Sequence, residues 1–261
     1  MSALTGDDYL AFCAGLREIC GIDLTHYKRP QMERRLRSFY ARRGVERLTD
    51  CLAPLRAGGD ELDALLDRLT INVSQLWRNP HQWQQLERDV LPELAGRGRV
   101  RAWSAGCSYG AEAYTLAAIS RDAIPHARVQ IRGTDIDRRM VERARTGVFT
   151  DEDARTAPVA SMRRWFERTT GGWQARAELR AMARFEVGDL LAIEPGAASF
   201  DLILCRNTVI YFAEAIRDEL HSRLARALRP GGWLIIGATE RVFQPASLGL
   251  APIHPFMFRK A

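Results

Sequence analysis

The chain has 261 residues, 46% of them hydrophobic and 27% charged, and carries a net charge of +6. Those proportions fit a soluble globular protein with one sizeable core and room for a small accessory domain. They exclude a membrane span, because no apolar run approaches the roughly 18 residues one needs. The acidic start, Met1-Ser-Ala-Leu-Thr-Gly-Asp-Asp, lacks the basic-then-apolar pattern of a signal peptide. The five cysteines (Cys13, Cys20, Cys51, Cys107 and Cys205) are scattered and lack metal-ligand spacing. Reduced thiols in the cytoplasm and no metal are therefore expected.

Residues 1–70 read as a helical domain. Phe12, Leu16 and Ile19 recur at helical spacing, as do Leu62, Leu65, Leu66 and Leu69, and Gly21, Gly44 and Gly58-Gly59 break the region into short helices. Arginines crowd one stretch of it: Arg29, Arg34, Arg35, Arg37, Arg42, Arg43 and Arg47, with Lys28 beside them. Such a face attracts nucleic acid, anionic lipid or an acidic protein, or is simply a solvated helix surface. Residues 71–98 form a connector with a helix ending near Leu94.

From residue 99 the pattern changes to strands alternating with helices, which predicts an α/β fold with a mostly parallel sheet. Strands are expected over Val100–Gly106, Val129–Ile136, Arg184–Val187, Phe200–Cys205 and Trp233–Gly237, with an antiparallel last strand over Pro255–Arg259. Helices are expected over Ala111–Ser120, Arg138–Arg145 and Glu214–Leu228. Residues 148–187 interrupt the alternation and read as a small antiparallel inserted subdomain, which makes 99–261 one larger domain.

The first strand ends in Ala105-Gly106-Cys107-Ser108-Tyr109-Gly110 and opens a helix. In such sheets a ligand sits past the carboxyl ends of the strands, where glycines let the backbone approach it. The second strand ends at Asp135, where a carboxylate can accept from both hydroxyls of a ribose. Gly106 and Asp135 are too far apart for the dinucleotide fingerprint, and GxGxxG is missing, so a nicotinamide enzyme is disfavoured. The same residues have plainer explanations. Asp135 can cap the next helix, Glu112 can favour the helix dipole and Asn207 can bind its own turn. Tyr211 can be a core aromatic, and Arg78 a surface charge.

Arg206-Asn-Thr-Val-Ile-Tyr-Phe212 resembles the Arg-Asn-Val-x-Ile-Tyr-Phe motif of the CheR family, the chemotaxis receptor glutamate methyltransferases. Asn72-Val-Ser-Gln-Leu-Trp-Arg78 is similar to that family's Asn-x-Thr-x-Phe-Phe-Arg. Gly106-Cys-Ser-Tyr-Gly-Ala-Glu112-Ala-Tyr114 is similar to its Gly-Cys-Ser-Thr-Gly-Glu-Glu-Pro-Tyr. The resemblance runs from about Tyr9 to Lys260. Ala111 and Ala113 depart from the family's Glu and Pro, Trp77 from its second Phe, and Ala238-Thr-Glu240 from its His-Ser-Glu.

The resemblance implies a Rossmann-like S-adenosylmethionine (SAM)-dependent methyltransferase fold, and formation of glutamate methyl esters on a chemoreceptor-type protein. It implies SAM contacts at Asn72, Ser74, Arg78, Gly106, Glu112, Asp135, Asp189, Leu190, Asn207 and Thr208, and catalytic roles for Arg78 and Tyr211. It further implies docking of the helix around Arg34, Arg35, Arg37 and Arg42 on the receptor's helical bundle; a monomer is the default expectation. The inserted segment resembles one that captures a receptor tail peptide in some members, although Phe166 to Phe185 is short for that. A glutamate carboxylate is ionised near neutrality, so the transfer needs alignment and dehydration rather than a base. Two other readings remain: a SAM-responsive adaptor without catalysis, and a nucleic-acid methyltransferase. Against the latter, Arg206-Asn-Thr-Val is not the Asn/Asp-Pro-Pro-aromatic motif of base methylases, and no nucleic-acid partner is expected.

Overall fold

The computed structural model describes residues 7–41, 43–69 and 74–261; Arg42 and Asn72, both singled out by the sequence, lie outside the described residues. The chain divides into two compact units. One comprises residues 1–72 together with Tyr211–Ile216, the other Val73–Ile210 with Arg217–Ala261.

The first unit is helical: α1 (Asp8–Cys20), α2 (Arg29–Ala41), α3 (Leu52–Arg56) and α4 (Asp60–Leu69). Asp7 starts α1 by accepting the Tyr9 amide at 3.1 Å, and Gly21, at φ 79°, ends it by donating to the Arg17 carbonyl. That is the expected cap chemistry, since the first and last helical turns leave backbone groups without partners. The apolar stripes of these helices are buried, with Phe12, Leu16, Leu36, Leu55 and Leu65 all at 0% exposure. The Asp8 carboxylate ties a distant turn to α1 by accepting the amides of Leu48 and Thr49. A short segment from far along the sequence completes the unit. Tyr27 bridges Phe212, the Lys28 amide donates to the Tyr211 carbonyl at 2.9 Å, and the Ala213 amide donates to the His26 carbonyl at 2.9 Å.

The second unit holds β1 (Arg99–Ala105), β2 (Arg128–Asp135), β3 (Val148–Phe149), β4 (Phe166–Thr169), β5 (Gly172–Ala175), β6 (Ala183–Val187), β7 (Phe200–Cys205), β8 (Leu228–Ile236), β9 (Leu250–His254) and β10 (Met257–Lys260). Its helices are α5 (Pro80–Gln85), α6 (Leu91–Ala95), α7 (Ala111–Ala123), α8 (Arg138–Thr146), α9 (Val159–Trp165), α10 (Ala177–Met182) and α11 (Glu214–Ala227), the last starting among residues of the first unit. A π-helical stretch, Leu86–Val90, joins α5 to α6. Seven strands form one sheet in the order β6-β2-β1-β7-β8-β10-β9. The first five run parallel, and β10 is antiparallel to both β8 and β9. Strands β3, β5 and β4 make a separate antiparallel sheet. Its Phe149 and Phe166 share one apolar core with Leu116 of α7 and Leu86 of the connector.

Two boundaries differ from the sequence expectation. The excursion from the main sheet ends before residue 183, because Ala183–Val187 pairs with β2. The carboxyl-terminal segment makes a two-stranded antiparallel hairpin rather than a single last strand. No helix among the described residues is long and apolar enough to cross a membrane.

Candidate functional site

The strand order reverses between β1 and β7, and doubly wound sheets bind ligands past the carboxyl ends of the strands at such a point. Gly106 follows β1 with φ 81°. A β carbon there would fall on the Thr208 hydroxyl, so both the backbone angle and the space demand glycine. The amides of Gly106 and Cys107 donate to the Thr134 carbonyl at 2.9 and 3.0 Å, which fixes the turn against the end of β2.

Asp135 ends β2. One of its carboxylate oxygens accepts the Ser108 amide at 2.7 Å and the other the Asp137 amide at 2.9 Å. The cap of α8 is Asp137 instead, which accepts the amides of Arg139 and Met140. Burial pushes the Asp135 pKa up, and the two amides oppose that shift. Each oxygen keeps a further lone pair, the pattern that two neighbouring ribose hydroxyls need. After β6, the Asp189 carboxylate accepts the Leu191 amide at 2.8 Å, and Leu190 is buried beside it.

Glu112, in the first turn of α7, is committed to an ion pair rather than to the helix dipole alone. It accepts from the Ser104 hydroxyl at 2.8 Å and pairs with Arg206 at 3.3 Å. Arg206 is 3% exposed at its side chain. Its guanidinium donates to the Glu112 carboxylate, the Gln82 side chain, the Arg78 carbonyl (2.8 Å) and the Asn79 side chain (3.2 Å), and it stacks 4.9 Å over Trp83. Burial works against both charges, and each is held by the other.

The loop after β7 is fixed by a carboxylate that sequence reasoning left out of the site. Glu240 is 3% exposed. It accepts the amides of Asn207 (2.9 Å), Val209 (3.0 Å) and Gly237 (2.6 Å). This holds Asn207 at φ 59°, a left-handed conformation that asparagine tolerates better than most residues. A side chain at Gly237 would meet the Glu240 carboxylate at 2.7 Å and the Asn207 amide at 2.8 Å.

The segment carrying Ser74 and Arg78 has no regular structure of its own. Trp77 (φ 55°) and Asn79 (φ 60°) are both left-handed, a conformation that costs of order 1 kcal/mol or more for a bulky residue. Neighbouring side chains hold it. The Tyr109 hydroxyl donates to the Ser74 carbonyl, Thr115 accepts the Trp77 amide at 3.0 Å, and Arg206 and Trp83 donate to the Arg78 carbonyl.

Of the sequence-predicted residues, the structure gathers Ser74, Arg78, Gly106, Glu112, Asp135, Asn207 and Thr208 around the ends of β1, β2 and β7 through these bonds, with Asp189 and Leu190 following the adjacent strand. Tyr211 is placed in the helical unit, where the Arg35 guanidinium lies 5.2 Å over its ring. Arg35 also donates to the Leu69 carbonyl at 3.3 Å, so within the basic helix it serves its own unit. Arg34 is exposed, and Arg37 pairs with Glu33 at 2.7 Å. The residues not anticipated as part of the site are Arg206, Gln82, Glu240 and Tyr109. A charge directly after a fully apolar strand end, and a glutamate three residues after a strand-ending glycine, were the available signals.

Comparison with known proteins gives consistent matches. The family model described as CheR methyltransferase, SAM binding domain, matches residues 72–253, and the all-alpha domain model of CheR methyltransferases matches residues 7–70. A chemotaxis protein methyltransferase from Listeria innocua is 35% identical over 97% of each chain. Chemotaxis protein methyltransferase 1 from Pseudomonas aeruginosa is 31% identical over 92% of each chain. Among solved structures, a SAM-dependent methyltransferase from Methanosarcina mazei overlays 62% of this chain and 57% of its own at 18% identity and a TM-score of 0.36.

Proposed function

The chain belongs to the CheR methyltransferase family, and from that premise we propose that it esterifies glutamate side chains of a chemoreceptor-type protein. The observation that carries this reading is the pairing of a ribose-ready carboxylate, Asp135, with a glycine turn at Gly106 on the switch-point edge of the sheet. Bound there, SAM supplies an electrophilic methyl group on a sulfonium.

The chain's own residues then have four tasks. Asp135 accepts from the ribose hydroxyls, and Asp189 and Leu190 border the adenine. Gly106, Asn207 and Thr208 line the floor, with the Asn207 backbone fixed by Glu240. Arg206, paired with Glu112, donates to the Arg78 carbonyl, so the segment that presents Arg78 and Ser74 is anchored to the sheet. Arg78 and Tyr211 are the residues proposed to orient the reacting carboxylate, each on the strength of its motif. A glutamate near neutrality is already an anion, so orientation and removal of water carry the rate rather than a base. The exposed Arg34 and Arg37, with Arg35 and Arg42 of the same basic run, are proposed to meet an acidic face of the receptor's helical bundle.

Ala111 and Ala113 do not favour the adaptor reading. Both are 0% exposed in the core, so they replace the family's Glu and Pro as packing residues while Glu112 keeps its pair. The test is transfer of labelled methyl from SAM to membranes bearing receptors, released as methanol by mild base. Arg78→Ala should cut turnover about a hundredfold or more while S-adenosylhomocysteine affinity changes little. Label that resists base, or turnover equal to the parent's, would overturn the reading.

A further inference from the structure

Tyr109 stands where the family motif has threonine, and its side chain reaches a group that a threonine could not. The phenol hydroxyl lies within hydrogen-bond reach of both the Ser74 carbonyl and the Asp153 carboxylate, the latter at 2.9 Å. It has one proton for two acceptors. Asp153 is also ion-paired with Arg143, whose guanidinium lies 3.9 Å over the Tyr109 ring. The Asp153 carboxylate further accepts the Thr150 amide at 2.8 Å. From the same stretch of chain, the Asp153 carbonyl accepts the Leu76 amide at 2.9 Å, and the Thr156 hydroxyl donates to the Leu76 carbonyl at 2.7 Å.

We propose that Tyr109, Asp153 and Arg143 form a positioning latch for the Ser74–Arg78 segment, in which Arg143 decides where the phenol proton goes. With its carboxylate neutralised by Arg143, Asp153 competes weakly and the proton serves the Ser74 carbonyl. Without Arg143, the bare carboxylate is the stronger acceptor and draws the proton away, because charge-assisted hydrogen bonds are about twice as strong as neutral ones. Ser74 then loses its tie, and the left-handed turn at Trp77 and Asn79 loses one of its restraints. Arg143 thus acts on Arg78 through Asp153, Tyr109 and Ser74. The charged groups facing the phenol are Asp153, Arg143 and Arg78. Burial and Asp153 both keep the hydroxyl protonated.

This inference rests on the methyl-transfer reading only for its kinetic readout. Arg143→Met keeps the apolar stem over the ring and removes the charge. It should lower kcat about tenfold and speed amide exchange at Leu76 and Trp77 by a similar factor. Adding Asp153→Asn removes the competing charge, so the Arg143→Met/Asp153→Asn double variant should recover most of both losses. Tyr109→Phe should resemble Arg143→Met and gain nothing from Asp153→Asn. Unchanged exchange in Arg143→Met, or a double variant no better than the single one, overturns the latch. Exchange is measured with S-adenosylhomocysteine alone. Should the parent protein esterify nothing, the functional reading fails while the exchange data still decide the latch.

Discussion

The carboxyl edge of the main sheet and the inserted three-stranded sheet are both rich in arginine and acidic residues, yet they use them in opposite ways. At the sheet edge, Glu112 and Arg206 are 11% and 3% exposed at their side chains and 3.3 Å apart. In the insertion, Arg176 and Glu167 approach to 3.0 Å but are 41% and 59% exposed. Distance alone would rank the exposed pair higher. Burial reverses that order, since two charges taken out of water depend on each other, whereas a solvated pair gains little over its hydrated members. The contrast also separates tasks: the buried pair fixes the backbone that carries Arg78, and the exposed pair decorates a surface.

The sharpest way to break this comparison is to remove one buried partner. Arg206→Met leaves Glu112 buried and uncompensated, and should destabilise the fold by about 3–5 kcal/mol in urea unfolding. Binding of S-adenosylhomocysteine should fall with it, because the Arg78 and Asn79 segment loses its anchor. Adding Glu112→Gln should recover much of the stability but not the binding. A single variant as stable as the parent would show that the pair is a bystander.

A second buried group sharpens the rule by lacking a partner. His221 on α11 is 1% exposed, and neither ring nitrogen has a hydrogen-bond partner among the described residues. Burial, helped by Arg217, holds its pKa down at about 4 against an ordinary value of 6.5. The folded state therefore keeps the ring neutral where the unfolded chain takes up a proton. Stability is fully present above pH 6.5 and is lost progressively as pH falls toward 4, by about 3 kcal/mol in all. His221→Leu should flatten that part of the pH–stability curve, and a curve of the same slope in both proteins would refute the assignment.

The same contrast explains what was legible in the sequence. Asp135 and Gly106 were readable because strand ends, a turn glycine and a carboxylate one strand later are local patterns. Arg206 and Glu240 were not, because their importance comes from burial and from partners far along the chain: Gln82 for the former, Asn207 for the latter. The Tyr211–Ala213 segment follows a strand of the sheet closely in sequence, yet its backbone pairs with His26–Lys28 in the helical unit. Strand β9 was missed because Pro252 interrupts it, and Ala251, Pro252 and Ile253 are all exposed, so no alternation marks it. Its place at the edge of the sheet is what tolerates a residue with no amide proton.

The smallest effect belongs to the exposed pair. Glu167→Gln removes the charge facing Arg176 on β4 while keeping the side chain's length and polarity. The strand itself is held by backbone pairing, Glu167 opposite Gln174 and Phe166 opposite Ala175, and by the buried Phe166 ring. None of these depends on the charge. Stability should change by no more than about 0.5 kcal/mol, and raising the salt concentration should erase even that, because solvated charges are screened within about a Debye length. The measurement is a pair of urea unfolding curves at low and high salt. A loss comparable to that of Arg206→Met, persisting in high salt, would mean that exposure is the wrong criterion and that the insertion relies on its ion pairs as the sheet edge does.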